Sequence, residues 1–218
     1  MKYSMTLLAI LFFALPTCYT QSTPDQLVDL FAKWRKFEDP PKLEGAPDYR
    51  KATFEERHDQ FLALRKGLNT MDTTGWNVPS RIDWTIIWAE MNGYDFNKRV
   101  LKPWERDPAF YKVIWPARSD VPAHEGPTNH AVLEVWQYEF PLSGNQREKF
   151  LSQLRAIPPF YDQAQINLTG NAKDLWIAGI RDIESQIRNL DEIFKLAGIE
   201  DDLMIIKALN DAKEATNN

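Results

Sequence analysis

NLTGNAKDLWIAGIRDIESQIRNLDEIFKLAG, residues 167–198, decides how this chain folds. From Trp176 the apolar residues Ile180, Ile183, Ile187, Leu190, Phe194 and Ala197 follow in alternating steps of four and three. That alternation places all seven on one stripe of an α-helix. Gly198 then supplies the left-handed residue at which such a helix stops.

Outward from this helix the pattern stays helical. Thr23-Pro24-Asp25-Gln26 gives an N-cap, a proline in the first turn and a glutamine that closes a capping box. Leu27, Leu30, Phe31, Trp34 and Phe37 carry that helix to about Glu38. After a loop holding Pro40, Pro41 and Pro47, Thr53-Phe54-Glu55-Glu56 opens a second helix by the same logic, with Phe54, Phe61, Leu64, Leu68 and Met71 on its face. Over 79–101, Ile82, Ile86 and Ala89 beside Trp84, Trp88 and Met91 read as a well-buried third helix, weakened by Gly93. Residues 102–128 hold five prolines, which exclude a long helix. Beyond them come a short helical piece at 130–138, a helix capped by Ser143 and Gln146 that runs to Ile157, and a restart at Pro158 and Pro159 that leads to Leu168. A last helix carries Leu203, Ile206 and Leu209 and ends without a terminating glycine or proline. No strand-like alternation, repeat or low-complexity tract interrupts the pattern. The fold class is all-α: an irregular multi-helix bundle with a proline-rich connecting region.

The N-terminus reads as an export signal. Lys2 precedes an apolar run from Met5 to Pro16 that is too short for a permanent span. Cys18, the only cysteine, follows Leu15-Pro16-Thr17 in an arrangement close to a lipoprotein cleavage site, with threonine where a smaller residue is usual. Residues 1–18 are therefore a leader with Cys18 as the lipidation candidate, residues 19–23 a solvated tether, and 24–218 the helical region. A plain cleaved signal peptide is the alternative. One thiol allows no internal disulfide, so stability rests on packing. Loss of Lys2 with the leader takes the net charge from −5 to −6. Dispersed acidity of this kind excludes nucleic acid as a partner and leaves a lipid anchor as the one route to a membrane. Most of the eight tryptophans, Trp84, Trp88 and Trp176 among them, are expected in the core.

The search for chemistry gives mostly negatives. Two of the three histidines, His124 and His130, flank Glu125 in HEGPTNH. A zinc-peptidase helix needs its histidines four apart, whereas here the spacing is six and Gly126-Pro127 intervenes. A metal held by His124, Glu125 and His130 is disfavoured, and no metal site or catalytic residue is assigned. His58 reads as a surface residue. Ser143 lacks the glycines of a nucleophile elbow. In PWERDPAFY, residues 103–111, Arg106 between Glu105 and Asp107 reads as an ion-pair clamp on a proline-rich corner. Asn167-Leu168-Thr169 is a glycosylation sequon, relevant only in a eukaryotic secretory route.

Five segments carry a resemblance: PWERDPAFY, VPAHEGP at 121–127, LEVWQYEFPLS at 133–143, IPPFYDQAQINLTGNAKDLWIAGIR at 157–181 and ALNDAKEAT at 208–216. In this order they resemble the N-terminal part of the bacterial exported family known as domain of unknown function eight-eighty-five. The resemblance implies a longer, largely helical protein, often a lipoprotein of the cell envelope, with zinc-peptidase character from a His-Glu-x-x-His helix in its later part. This sequence stops before that part, so no metal ligand is carried over and zinc is expected only there. The expected role is the non-catalytic helical wall of a zinc metallopeptidase-like protein, inactive alone, partnered by the remaining half and by a peptide substrate. Trp104, Arg106, His124 and Glu125 are the candidates to face the substrate channel. The alternative is a stand-alone helical envelope lipoprotein that binds a peptide or a protein. A wall should leave a large apolar face open, whereas a stand-alone module should cover its stripes.

Overall fold

A computed structural model describes residues 21–117, 132–199 and 202–218. Cys18, His124, Glu125, His130 and the leader lie outside the described residues. The described chain is all-α apart from two pairs of two-residue strands. The helices are α1 (Pro24–Glu38), α2 (Lys51–Glu56), α3 (His58–Asn69), α4 (Val78–Phe96), α5 (Pro103–Arg106), α6 (Gly144–Arg155), α7 (Ile157–Asn167), α8 (Lys173–Leu196) and α9 (Leu203–Asn217). None is long and apolar enough to cross a membrane. Strands β1 (Lys42–Leu43) and β2 (Ala46–Pro47) pair antiparallel, and β3 (Ile114–Trp115) and β4 (Leu133–Glu134) pair parallel.

Two hydrophobic clusters organise the packing. In the first, α1, α3 and α4 surround Trp34, Phe37, Phe61, Met91 and Tyr94, with the Trp34 and Tyr94 rings edge to face at 5.5 Å. The capping box that starts α1 forms as expected, with the Thr23 N–H donating to Gln26 Oε1 at 3.0 Å. The second cluster joins α6, α7, α8 and α9 to the segment 104–114 and to Tyr49 and Phe54. α9 runs back along α8, and Lys213 meets Asp191 at 2.5 Å.

Several elements depart from the sequence pattern, each for a local reason. The second helix is two, α2 and α3, meeting at Arg57. Thr53 does not cap it, because its hydroxyl donates to Asp48 Oδ2 at 2.8 Å. Residues 21–23 are no free tether: the Trp76 indole donates to the Ser22 carbonyl at 2.7 Å, and Asp72 N–H donates to the Ser22 hydroxyl. His58 is half-buried against the Phe61 ring. The piece at 130–138 is β4 and one 3₁₀ turn in its described part, because Leu133 N–H is drawn to the Val113 carbonyl at 2.9 Å.

α4 buries only part of the set expected inside: Met91 is buried and Trp84 half-buried, but the rest turns outward. Ile87, Met91 and Tyr94 fill the core, while Ile82, Ile86 and Trp88 are about half exposed and Ala89 is exposed. α1 and α3 occupy only one side of α4, and nothing among the described residues covers the other. The tryptophans divide similarly. Trp34, Trp76 and Trp104 are buried; Trp84, Trp115 and Trp176 are half-buried; Trp88 and Trp136 are exposed.

α8 is a helix over the expected range, and Gly198 ends it at φ +59°. Its buried seam is Gly179, Ile183, Gln186, Leu190, Ile193 and Ala197, with Ile183 half-covered. The steps are still four and three, but the seam is rotated from the all-apolar stripe. Trp176, Ile180 and Ile187 therefore sit on its shoulder.

Candidate functional site

The site region is built on the corner that PWERDPAFY makes against α7 and α8. Pro103 starts α5 after Lys102, whose backbone is left-handed at φ +46°. Asp107 ends α5, and its carboxylate accepts from Ala109 N–H at 2.9 Å to begin the 3₁₀ turn Pro108–Tyr111. Burial pushes the Asp107 carboxyl up, and the nearby charge of Asp182 adds to this, while the Ala109 N–H works against it. The expected clamp on Arg106 does not form. Glu105 pairs with Lys102 one turn earlier at 3.4 Å, and the Arg106 guanidinium reaches the Leu101 carbonyl at 3.5 Å.

Two glycines let α8 and its approach close on this corner. Gly170 N–H donates to the Glu105 carbonyl at 2.7 Å, and a Cβ there would lie 2.5 Å from Arg106 Cγ. A Cβ on Gly179 would lie 2.7 Å from Ala109 N and 2.9 Å from Pro108 Cβ. The Trp176 indole fixes the turn by donating to the Gly170 carbonyl at 3.1 Å. Beneath the corner runs a buried polar chain. Asn167 Nδ2 donates to the Tyr49 carbonyl and to the Tyr111 hydroxyl, both at 2.9 Å, and that hydroxyl donates to the Trp104 carbonyl at 2.9 Å. Burial raises the Tyr111 phenol, although Asn167 opposes this, so it acts as a neutral donor. The sequon asparagine is thus spent inside the protein, with no nitrogen left for a glycan. Gln163 works beside it, accepting from Tyr49 N–H at 2.9 Å and donating to the Pro47 carbonyl at 3.1 Å.

Trp104 lies inside this arrangement, 3% exposed and stacked on Phe54 at 4.1 Å. Arg106 is half-buried at the surface of the corner. Two residues apart in sequence, these two candidates therefore lie at different depths of the corner. Among the described residues, no group of three or more His, Cys, Asp or Glu side chains is placed to hold a metal ion.

The sequence pattern missed one feature nearby. A groove of about 390 Å³ lies where α7, the shoulder of α8 and the last turn of α9 diverge. Tyr161 and Leu168 of α7, Trp176, Ile180 and Ile187 of α8, and Thr216 of α9 line it. Tyr161 is 5% exposed, with its hydroxyl buried beside that of Thr216. Burial raises its pKa, and the adjacent Thr216 hydroxyl tempers the effect. The signal was present in the sequence as apolar residues on α8 in excess of one seam.

No protein-family model matches this sequence, and no curated protein matches it. The fold is similar to that of a solved structure from Shewanella oneidensis described as "a putative lipoprotein of unknown function", with a TM-score of 0.52 and 12% identity. The match covers 89% of this chain and 35% of that one, so the present chain spans about a third of the length of its structural neighbour. At that identity the likeness is one of fold: an all-α arrangement of this kind occurs there as part of a longer polypeptide.

Proposed function

We propose that this chain is the non-catalytic helical wall of a larger exported protein of the zinc-peptidase-like build that its motifs resemble. The observation that carries the reading is the uncovered apolar surface. Ile82 and Ile86 on α4, and Ile177 and Ile180 on α8, are each about half exposed, although they belong to helices whose other faces are well packed. Apolar residues left open on otherwise packed helices are what a surface covered by another body would present. The similarity to about a third of a longer chain supports it, as does the export signal. In this reading Arg106 faces the cleft and Trp104 stiffens the corner from within, while His124 and Glu125, outside the described residues, stay as sequence candidates for the same cleft. Zinc would belong to the other half, where it would supply water activation for peptide hydrolysis. A lipid on Cys18 would hold the protein at the envelope surface.

The coding sequence beyond the Asn218 codon tests this directly. An open frame continuing into a His-Glu-x-x-His helix is the expected result. A stop codon there overturns the reading in favour of a stand-alone helical envelope module that binds a peptide or protein.

A further inference from the structure

We propose that the open side of α4 is a membrane-surface face, which lies on a bilayer carrying anionic lipid and leaves the α8 side for the other half of the larger protein. The inference rests on the proposed function only for the direction in which a lipid on Cys18 would pull.

The face is one continuous stripe. Val78, Ile82, Ile86, Phe96 and Val100 recur on one side of α4 and of the π-helical turn Asn97–Leu101 that prolongs it, and each is about half exposed. From Val78 to Val100 the stripe is about 33 Å long. Between its two halves Ala89 is exposed, and a Cβ on Gly93 would meet nothing within 4 Å. Trp88 stands on the flank, 44% exposed, an amphipathic ring of the kind that settles at the level of lipid headgroups.

Both ends of the stripe point to the same occupant. At the first, the chain enters beside the start of α4: the Trp76 indole holds the Ser22 carbonyl, Asp72 N–H donates to the Ser22 hydroxyl, and Asn77 caps α4 directly afterwards. Cys18 precedes Ser22 by four residues, which limits its distance from that corner to about 14 Å. A lipid on Cys18 therefore brings the bilayer to the Val78 end of the stripe.

At the second end the charge reverses. The chain as a whole carries −5, yet here Arg65, Lys98, Arg99 and Arg106 stand against Asp95 and Glu55, while Lys102 and Glu105 pair with one another. Arg65 and Arg99 share the one carboxylate of Asp95, and Lys98 bonds the Phe54 carbonyl, so an excess of positive charge remains. Along the stripe Arg81 and Asp83 offset each other, and Glu90 is held by Arg35 at 2.8 Å. Apolar side chains at the acyl boundary, with cations at the phosphate level, are what hold a surface-lying helix on an anionic bilayer. Overall acidity conceals this, because Arg65 joins Lys98 and Arg99 only through the packing of α3 on α4.

Co-sedimentation of the mature chain, made without acylation, with vesicles of phosphatidylcholine and phosphatidylglycerol tests the face. Binding is expected, at least roughly tenfold weaker on phosphatidylcholine alone and falling as salt rises. Ile82→Glu should weaken it by a similar factor with an unchanged melt, whereas Ile177→Glu on α8 should leave it alone. Brominated lipid should quench tryptophan emission in the parent and do so less in Trp88→Phe. No binding, equal binding to both kinds of vesicle, or insensitivity to Ile82→Glu would each overturn the proposal. So would a dimer that Ile82→Glu converts to monomer, because a second copy would then occupy the face. The vesicles read α4 whatever the state of Cys18, and the wall stands or falls separately on the downstream coding sequence.

Discussion

Gly179 shows how one residue sets the rotation of a helix. The Ala109 backbone nitrogen and the Pro108 ring occupy the space where its Cβ would stand, so α8 can turn this position inward only without a side chain. Gly179→Ala should cost about 1–3 kcal/mol through overpacking, despite the better helix propensity of alanine, and denaturant unfolding would measure it. Asp95 makes a residue-scale prediction of another kind. Bonds from Arg99 first, and then from Arg65, outweigh its burial and hold the carboxyl below the ordinary carboxylate range. A folded value below the unfolded one means that the stability it lends is complete above about pH 4 and is lost as pH falls through the lower folded value. Asp95→Asn should therefore be less stable than the parent at neutral pH, with the two converging in acid. Thermal melts across pH 2–7 would show parallel curves if Asp95 contributed nothing.

At the scale of elements, α4 gives the clearest test of how its faces are assigned. Ile82→Lys and Ile86→Lys should each change stability by no more than about 0.5 kcal/mol, whereas Ile87→Ala should cost about 2–5 kcal/mol. Chemical denaturation of the three variants decides it, and the reverse order would mean that α4 is turned the other way. The same helix shows what the sequence could tell. Its existence, like that of α1, α7, α8 and α9, was legible from apolar spacing and from caps such as Thr23 and Gln26. Which face is buried was not, because both sides of α4 are apolar and periodicity cannot rank them. On α8 the misleading residues were Gly179 and Gln186, which belong to the seam without being apolar. Gln186 is fully buried because its Oε1 accepts from Val113 N–H at 3.1 Å and Ile114 N–H at 2.6 Å. In the candidate site, the corner at 103–111 was legible as a fixed turn, but the depth of Trp104 and the groove were not. Both depend on partners far away in the chain.

For the molecule as a whole, the two hydrophobic clusters matter most. They meet across the α2–α3 junction, where Lys98 Nζ donates to the Phe54 carbonyl at 2.9 Å and Arg57 donates to the carbonyls of Phe37 and Asp39. Polar ties of this kind couple two cores less tightly than a shared apolar interior. Trp34→Ala should therefore lower amide protection in α1, α3 and α4 while leaving α6–α9 protected. Hydrogen exchange with residue-level readout would show this, and uniform loss over both sets would mean one cooperative unit. The bridge from Gln186 to β3 adds a consequence in time. The acceptor lies 72–73 residues after the amides it serves. At about 5–20 residues per second, a chain emerging from the ribosome waits roughly four to fifteen seconds between the appearance of β3 and that of the side chain that satisfies it. During that interval the Val113 and Ile114 amides lack the acceptor they have in the folded chain, so this stretch reaches its final order only after α8 is in place.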